Sequence, residues 1–547
     1  MRLVLRYKID GCVVESDSLE NSLYKIDVYS DGTRTKLVMN TKKPVKLAGA
    51  FLTRPYAYEG DDLIFVNGYQ SWTDTREYTM DEKLKSLKAI PEVVKDKYHF
   101  AEYGDSWFLK YDKNRLHGYT YSYVKKQDGT ARLWGSLNEE NAYLIIHHEK
   151  DKGRLVLQSD IQGRVVDGEF VLFDFVEYTG LIKDVQKKYF ENYGRCDAKP
   201  LRGYTSWYND YQDINEEKML NALEGIDGMD YDLFQIDDGW ESHVGDWLEV
   251  DEKKFPDGLI PIVNMAHGRG LKAGIWVAPF VAEMDSSIYL EHPDWILRKG
   301  GKEVFAGSNW SGAVALDVRK KAVWDHIEKS LKSLLEQGFD FFKLDFLYAA
   351  ALAAPSGSFT RAEIMRKSMK RLKNILGDKL ILGCGVPLSS AFNLVDYCRI
   401  GPDITLNLDD KRYMRLAHRE RVSTKVTLMN TIYRYAMDGY VFRNDPDVYL
   451  LRDDNIKLDE EQREAIITID HLCGAMYLTS DNVNEYDERK RDMLAAAQML
   501  CGAEITDIER EGEKIKIDYV LEGRQESMVY NSDKAIIERR IISRTFD

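Results

Sequence analysis

Two hydrophobic rhythms divide this chain. Over residues 1–195 apolar positions alternate with polar ones in short runs, such as Thr35-Lys36-Leu37-Val38-Met39 and Asp62-Leu63-Ile64-Phe65-Val66. Turn signals punctuate them at Ser30-Asp31-Gly32, Glu59-Gly60-Asp61, Gln127-Asp128-Gly129 and Val166-Asp167-Gly168. Many short alternating strands joined at such turns predict an antiparallel β-sandwich. A helical stretch over 184–193 follows, and Lys199-Pro200-Leu201-Arg202-Gly203 marks a boundary.

From Gly203 the rhythm becomes strand, helix, strand. Eight apolar runs, 203–208, 232–238, 272–279, 339–346, 379–385, 396–403, 440–446 and 475–480, predict strands buried on both faces. Between them Trp324, Ile327, Leu331, Leu334 and Leu335 recur at helical spacing in 320–337, with Gly338 placed to end the helix. Ile364, Met365, Met369, Leu372 and Ile375 do the same in 361–376, ahead of Gly377. Eight strands alternating with helices predict a (β/α)8 TIM barrel over 200–503, closed by a helix at 487–501. Residues 504–547 return to alternation and predict a small C-terminal β-sheet domain. The fold class expected is therefore multidomain α/β with β.

Composition narrows the reading only in places. At 547 residues the chain is too long for one core, so several domains are expected. A net charge of −15 argues against nucleic acid or an anionic membrane as the partner. The six cysteines show no C-x-x-C spacing, which fits free thiols in a reducing compartment. The opening Met1-Arg2-Leu3-Val4-Leu5-Arg6 is broken by charge and lacks a signal-peptide core, so a cytoplasmic location is expected. The 33 tyrosines and 10 tryptophans suit sugar binding, and suit large cores equally well.

Chemistry gathers where the strands end. Lys343 and Asp345 sit two residues apart at the end of an apolar run, on one face of a strand. Opposite charges on an interior face are costly unless they pair or react. Asp237 and Asp238 close the second strand, Trp276 the third, Cys384 the fifth, Arg399 and Asp403 the sixth, and Asn444 and Asp445 the seventh, with Trp207 and Tyr208 ending the first. The C-terminal ends of barrel strands line the reactive mouth. Two carboxyl groups, cations and indole rings are what glycoside hydrolysis uses: one acid attacks or stabilises the anomeric carbon, the other protonates the departing oxygen. A neighbouring lysine favours Asp345 as the nucleophile. Each feature also has a plainer reading. Lys343–Asp345 could be a structural ion pair, Asp237-Asp238-Gly239 a turn, Arg399–Asp403 a rim salt bridge, and Trp207, Trp276 and Cys384 core residues. Acids ending three separate strands are what packing does not explain.

The motifs Gly203-Tyr204-Thr205-Ser206-Trp207-Tyr208, Phe234-Gln235-Ile236-Asp237-Asp238-Gly239, Gly274-Ile275-Trp276, Phe342-Lys343-Leu344-Asp345-Phe346, Leu382-Gly383-Cys384-Gly385 and Arg399-Ile400-Gly401-Pro402-Asp403 follow one another in this order. Together they resemble glycoside hydrolase family 36, in its compact bacterial α-galactosidase form. Asn67-Gly68-Tyr69-Gln70-Ser71-Trp72 resembles the family's N-terminal loop that reaches the active site. The resemblance implies a retaining, cofactor-free and metal-free exo-α-galactosidase acting on small α-galactosides. It implies Asp345 as nucleophile, Asp403 as general acid/base, and Asp237 and Asp238 as ligands of the sugar 4- and 6-hydroxyls. Trp72, Trp207 and Trp276 would be walls, and Lys343, Cys384 and Arg399 would contact or flank the substrate. The first strand departs from the family, whose common variant there is Trp-Cys. The chain also lacks the glycine-rich stretch and Ser-Asp acid/base region of the larger members, so their tetrameric assembly is not expected to carry over.

Rivals remain open at this level. An α-N-acetylgalactosaminidase or a raffinose-type transglycosylase would share the mechanism. A barrel enzyme holding Mg²⁺ on Asp237, Asp238, Asp345 and Asp403 is a different class, and a silent sugar-binding protein a third.

Overall fold

The computed structural model describes residues 1–112 and 114–542. Two seven-stranded antiparallel sheets occupy the N-terminal part. One centres on Val45–Pro55, between Arg2–Ile9 and Arg154–Ser159; the other on Glu169–Leu181, between Arg34–Thr41 and Thr130–Ser136. Alternation does what it should: Arg2–Ile9 buries Leu3, Leu5 and Tyr7 and turns Arg6 and Lys8 outward. Those side chains meet Met39, Leu47, Trp134 and Ile146 in one shared core. Gly32, Gly129 and Gly168 take φ of +91°, +78° and +96° at the expected turns. The helix that follows, Ile182–Phe190, leads to the second part of the chain.

There a parallel sheet runs through β1 (Leu201–Thr205), β2 (Leu233–Ile236), β3 (Lys272–Val277), β4 (Phe341–Leu344), β5 (Leu380–Gly383), β6 (Tyr397–Arg399), β7 (Arg443–Asp445) and β8 (Met476–Thr479). Sequence neighbours pair from β1 to β7, and β8 pairs with β1. After Pro446 and Asp447 the seventh strand resumes as Val448–Tyr449, which pairs with β8. The two ends of the sheet are thus one stretch of chain, and the sheet curls round as a barrel does. Each run expected to be a strand overlaps one, but the strands stop earlier. Trp207 and Tyr208, expected to end the first strand, lie instead in a short helix, Trp207–Asp210. The backbone turns at Ser206, whose φ and ψ are already helical.

Helices α1 (Lys321–Glu336) and α2 (Arg361–Leu376) lie where their spacing predicts them. Gly338 follows α1 with φ +99° and donates its N–H to the Leu335 carbonyl. Thr360 and Glu363 form a capping box ahead of α2. Asp459 and Gln462 do the same for α3 (Glu460–Cys473), a helix the sequence reading did not place. The expected closing helix is α4 (Glu488–Gln498). Four antiparallel strands, from Glu504–Glu511 to Ile536–Ile542, form the last sheet. It is bound back to the first part of the chain: Lys125 Nζ donates to Ile508 O at 2.7 Å, and Arg510 Nη1 to Glu77 O at 2.6 Å. All six cysteines are free thiols. Among the described residues no helix is long and apolar enough to cross a membrane.

Candidate active site

The carboxylates converge because the strands end just before them. β2 stops at Ile236, and Gly239 adopts φ +114° with its Cα against the Gln212 backbone, where a Cβ would lie 2.7 Å from the carbonyl oxygen. Freed from strand alternation, Asp237 and Asp238 both face one cavity of about 230 Å³. Asp237 Oδ2 accepts from Lys343 Nζ at 2.8 Å and from Gln235 Nε2 at 2.7 Å, while its Oδ1 accepts the Asp238 amide at 3.0 Å. Asp238 accepts from Trp310 Nε1 at 2.9 Å and from Gln212 Nε2 at 3.1 Å. Behind it the fully buried Glu241 hydrogen-bonds its carboxyl. Burial first, then the negative charge of Asp238, pushes Glu241 well above the carboxylate range. Asp238 is raised too, chiefly by burial.

Asp345 stands across the cavity at the end of β4. Trp276 Nε1 donates to its Oδ2 at 3.1 Å and the Phe346 amide to its Oδ1 at 2.7 Å, which fixes the plane of the carboxylate. Phe346 takes φ +53°, a left-handed conformation unusual for a bulky side chain, and this turns its N–H back onto Asp345. Lys343 is wholly buried between the acids. Burial pulls its ammonium down, but Asp237 and then Asp345 outweigh that and hold it charged, above the usual lysine range.

Arg399 supports the third acid. Its Nη1 donates to Asp403 Oδ1 at 2.7 Å, its Nε to Asp445 Oδ2 at 2.8 Å, and its Nη2 lies 2.8 Å from Asp447 Oδ1. Tyr208 O–H and the Ile404 amide also donate to Asp447. Asp403 itself opens to the cavity, its side chain 36% exposed. Desolvation in the mouth pushes its carboxyl up, and Asp345 and Asp237 add to this against the pull of Arg399 and Lys343.

The N-terminal part supplies a wall. Fully buried Arg434 donates to Ser71 O and Ile400 O at 2.6 Å each and to Gln70 O at 3.2 Å, tying the 67–74 loop to the end of β6. Ser71 N and Oγ engage Val386 across the same seam, at 3.0 and 3.1 Å. Trp72 is thereby set edge-on against Phe346, with ring centroids 5.4 Å apart. Gly385 makes room for it, because a Cβ there would lie 2.8 Å from the indole.

Of the residues expected at the site, Trp72, Trp207, Asp237, Asp238, Trp276, Lys343, Asp345 and Asp403 line the cavity. Cys384 and Arg399 stand behind its wall, Cys384 as a buried thiol pushed well up by burial and then by Asp345. Sequence reasoning missed Phe100, Tyr103, Asn309, Trp310, His418 and Glu420, which also line it. Only Trp310 left a signal, as an indole among turn residues in Ser308-Asn309-Trp310-Ser311-Gly312. A wider cleft of about 470 Å³ lies beside β8, but its charges pair with one another: Arg452 with Asp481, Lys218 with Asp210, Lys490 with Asp453.

Opposed carboxylates, buried cations and indoles at the C-terminal ends of curled parallel strands are an arrangement that carbohydrate-active barrel enzymes use. A family model described as Melibiase matches residues 182–374. Alpha-galactosidase 1 of Pediococcus pentosaceus is 32% identical over 161 residues, 27% of this chain and 21% of that protein. Alpha-galactosidase Mel36A of Lactobacillus acidophilus is 32% identical over 148 residues, 26% of this chain and 20% of that protein. The chain therefore spans only about a fifth of the length of these curated relatives. The solved alpha-galactosidase TtGalA of Thermus thermophilus, in complex with p-nitrophenyl α-D-galactopyranoside, superposes with a TM-score of 0.72 at 25% identity, covering 98% of both chains. With stachyose bound it superposes at 0.71 and 27% identity, over 90% of this chain and 99% of that one. Over a third of its length the chain matches the Melibiase model, and over nearly all of it the chain is similar in fold to solved alpha-galactosidases.

Proposed function

We propose that this protein is a retaining, exo-acting α-galactosidase that removes terminal α-linked galactose from small oligosaccharides through a covalent galactosyl-enzyme. The observation that carries the reading is the contrast between two carboxyls facing one cavity. Asp345 is clamped by two N–H donors beside Lys343, whereas Asp403 is held up in pKa by its desolvated position. Paired acids in contrasting environments are how one site supplies both a nucleophile and a proton donor. Asp403 gives its proton to the glycosidic oxygen as that bond breaks, and an Asp345 oxygen bonds to the anomeric carbon from the opposite face. Asp403, now a carboxylate, then takes a proton from water. The water oxygen attacks the same carbon, the ester bond to Asp345 breaks, and galactose leaves with its α-configuration kept.

Asp237 and Asp238 are the groups for the sugar's 4- and 6-hydroxyls, with Trp72, Trp207 and Trp276 as the surrounding walls. Asp237 is already fixed by Lys343, Gln235 and the Asp238 amide, so it cannot swing to follow an equatorial hydroxyl. The layout we assign is an N-terminal β-sandwich (1–195), a (β/α)8 barrel (200–503) and a C-terminal sheet from 504, of whose expected span to 547 the last five residues lie outside those described, acting in the cytoplasm without a cofactor. The relatives named as α-galactosidases and the structural likeness to TtGalA with an α-galactoside bound support the substrate class.

Three chromogenic substrates test this: p-nitrophenyl α-galactoside, α-glucoside and N-acetyl-α-galactosaminide, with the first-formed anomer followed by NMR. Galactoside cleavage with α-galactose appearing first is expected. Preference for the N-acetyl sugar, or β-galactose first, would overturn the sugar or the mechanism respectively.

A further inference from the structure

Resting on that function, we propose that Asp447 is a positioning residue for the acid/base: it takes up part of the Arg399 charge, so that the guanidinium orients Asp403 without stripping its proton. No motif marks Asp447, which lies just past the end of β7 and is wholly buried behind the cavity wall. The strand breaks at Pro446, and Asp447 takes φ +95°, a conformation that residues other than glycine rarely adopt. Strained backbone of this kind persists where its surroundings demand it, often beside an active site. Here the surroundings are explicit. The Asp447 amide donates to Asp445 Oδ1 at 2.9 Å, and Gly474 leaves room for the Pro446 ring, since a Cβ there would lie 2.8 Å from it.

Asp447 reaches Asp403 by two routes. Through the backbone, the Ile404 amide donates to Asp447 Oδ2 at 2.8 Å and so fixes the residue next to Asp403. Through charge, Arg399 Nη2 lies 2.8 Å from Asp447 Oδ1 while Nη1 donates to Asp403 Oδ1 at 2.7 Å. One guanidinium thus serves both carboxyls, with Asp445 on its Nε. Two acids on one cation oppose each other's ionisation, so the charge of Asp447 favours the protonated form of Asp403. Burial, with Asp403 and Asp445 adding to it, raises Asp447 to about 7 against the pull of Arg399, and the competition therefore falls near neutral pH. Asp403 also faces Lys343, Asp345 and Asp237 across the cavity, a constant background when Asp447 alone is changed. The remaining neighbours are neutral: burial pushes up Asp470 of α3, Tyr208, Tyr211 and Cys384.

The test is the pH profile of kcat/KM for raffinose in the near-isosteric Asp447→Asn. Its basic limb, which reports the proton on Asp403, should move down by about one unit or more as Arg399 turns its full charge on that acid. The acid limb, set by Asp345, should hold its place. Above the wild-type limb raffinose cleavage then falls about tenfold. Cleavage of p-nitrophenyl α-galactoside, whose leaving group departs with little help from an acid, should fall much less. Asp447→Glu, which restores the charge, should bring the limb part of the way back. A purely structural role for Asp447 gives a lower rate or Tm at an unmoved limb, and that result, or an upward shift, would overturn the proposal. If Asp447→Asn does not fold, Tyr208→Phe decides. With one donor gone Asp447 ionises less readily, and the limb should again move down, by about half a unit; an unmoved limb there overturns the proposal equally. Failure of the α-galactosidase reading looks different, since the wild-type protein would then cleave neither substrate, which would end this proposal too.

Discussion

Lys343 and Arg399 explain how so many acids share one small cavity. Each cation serves more than one carboxylate: Lys343 pairs with Asp237 and lies between it and Asp345, and Arg399 spans Asp403, Asp445 and Asp447. This division of labour predicts different outcomes for the two acids. Asp345→Gly should lose nearly all turnover and be partly rescued by azide, giving β-galactosyl azide from an activated substrate. Asp403→Ala should retain activity on an aryl galactoside and yield α-galactosyl azide, because azide then attacks the galactosyl-enzyme. Product NMR checks both, and near wild-type raffinose turnover in either variant would reverse the roles. A second prediction concerns Glu420, which burial above all raises to about 7. An acid raised in the fold binds its proton more tightly than the unfolded chain does. Its contribution is therefore complete below the unfolded value and is lost as pH rises through about 7. Glu420→Gln should flatten the fall of Tm between those limits, removing at most about 3 kcal/mol of pH-dependent stability. An identical Tm profile in the variant would contradict this.

Strand ends explain why the acids were legible in the sequence and the rest of the wall was not. An apolar run that closes on Lys343-Leu344-Asp345 or Ile236-Asp237-Asp238 announces buried charge at a known place in a parallel strand. What sequence could not give was the release from alternation after Ile236, which lets two consecutive aspartates face the same way. His418, Glu420 and Tyr103 carry no periodicity, since long loops place them by contacts with distant residues such as Thr73 and Asn309. The loop that delivers Trp72 is a third case: its motif was readable, but its anchoring by Arg434 was not. That seam is tight. Gly385→Ala would set a Cβ against the Trp72 indole at a position with φ +56°. The expected loss is about 1–3 kcal/mol of stability, with a raised KM for galactosides as the indole shifts. Thermal unfolding and steady-state kinetics measure the two effects. A variant with unchanged KM would show that Trp72 is not a wall of the sugar site.

Whole-molecule charge argues about which sugars this protein can use at all. The two rhythms, period two and then strand-helix, gave the succession of sheets correctly, but the docking of the last sheet on the first part of the chain rests on single bonds such as Arg510 to Glu77 that no pattern announces. The net charge of −15 was equally plain, and its consequence appears only with the cavity in view. Asp237, Asp238, Asp345, Asp403, Asp410 and Glu420 line it against Lys343 and Arg421, and both cations are already engaged by carboxylates. A neutral oligosaccharide feels no net steering from such a field, so its kcat/KM should stay within about twofold between low and physiological salt. A 6-phosphorylated galactoside meets the opposite situation. Its dianion would stand beside the acids proposed to take the 6-hydroxyl, with no free cation among the lining residues to receive it. Like charges at about 4 Å repel by several kcal/mol at an effective dielectric near 20, which predicts at least a hundredfold lower kcat/KM for the phosphorylated substrate. Added salt should narrow that gap by screening the repulsion. Equal use of both substrates at low salt would mean that the mouth neutralises its acids, by protonation or by a bound cation, and that its charge plays no part in choosing the sugar.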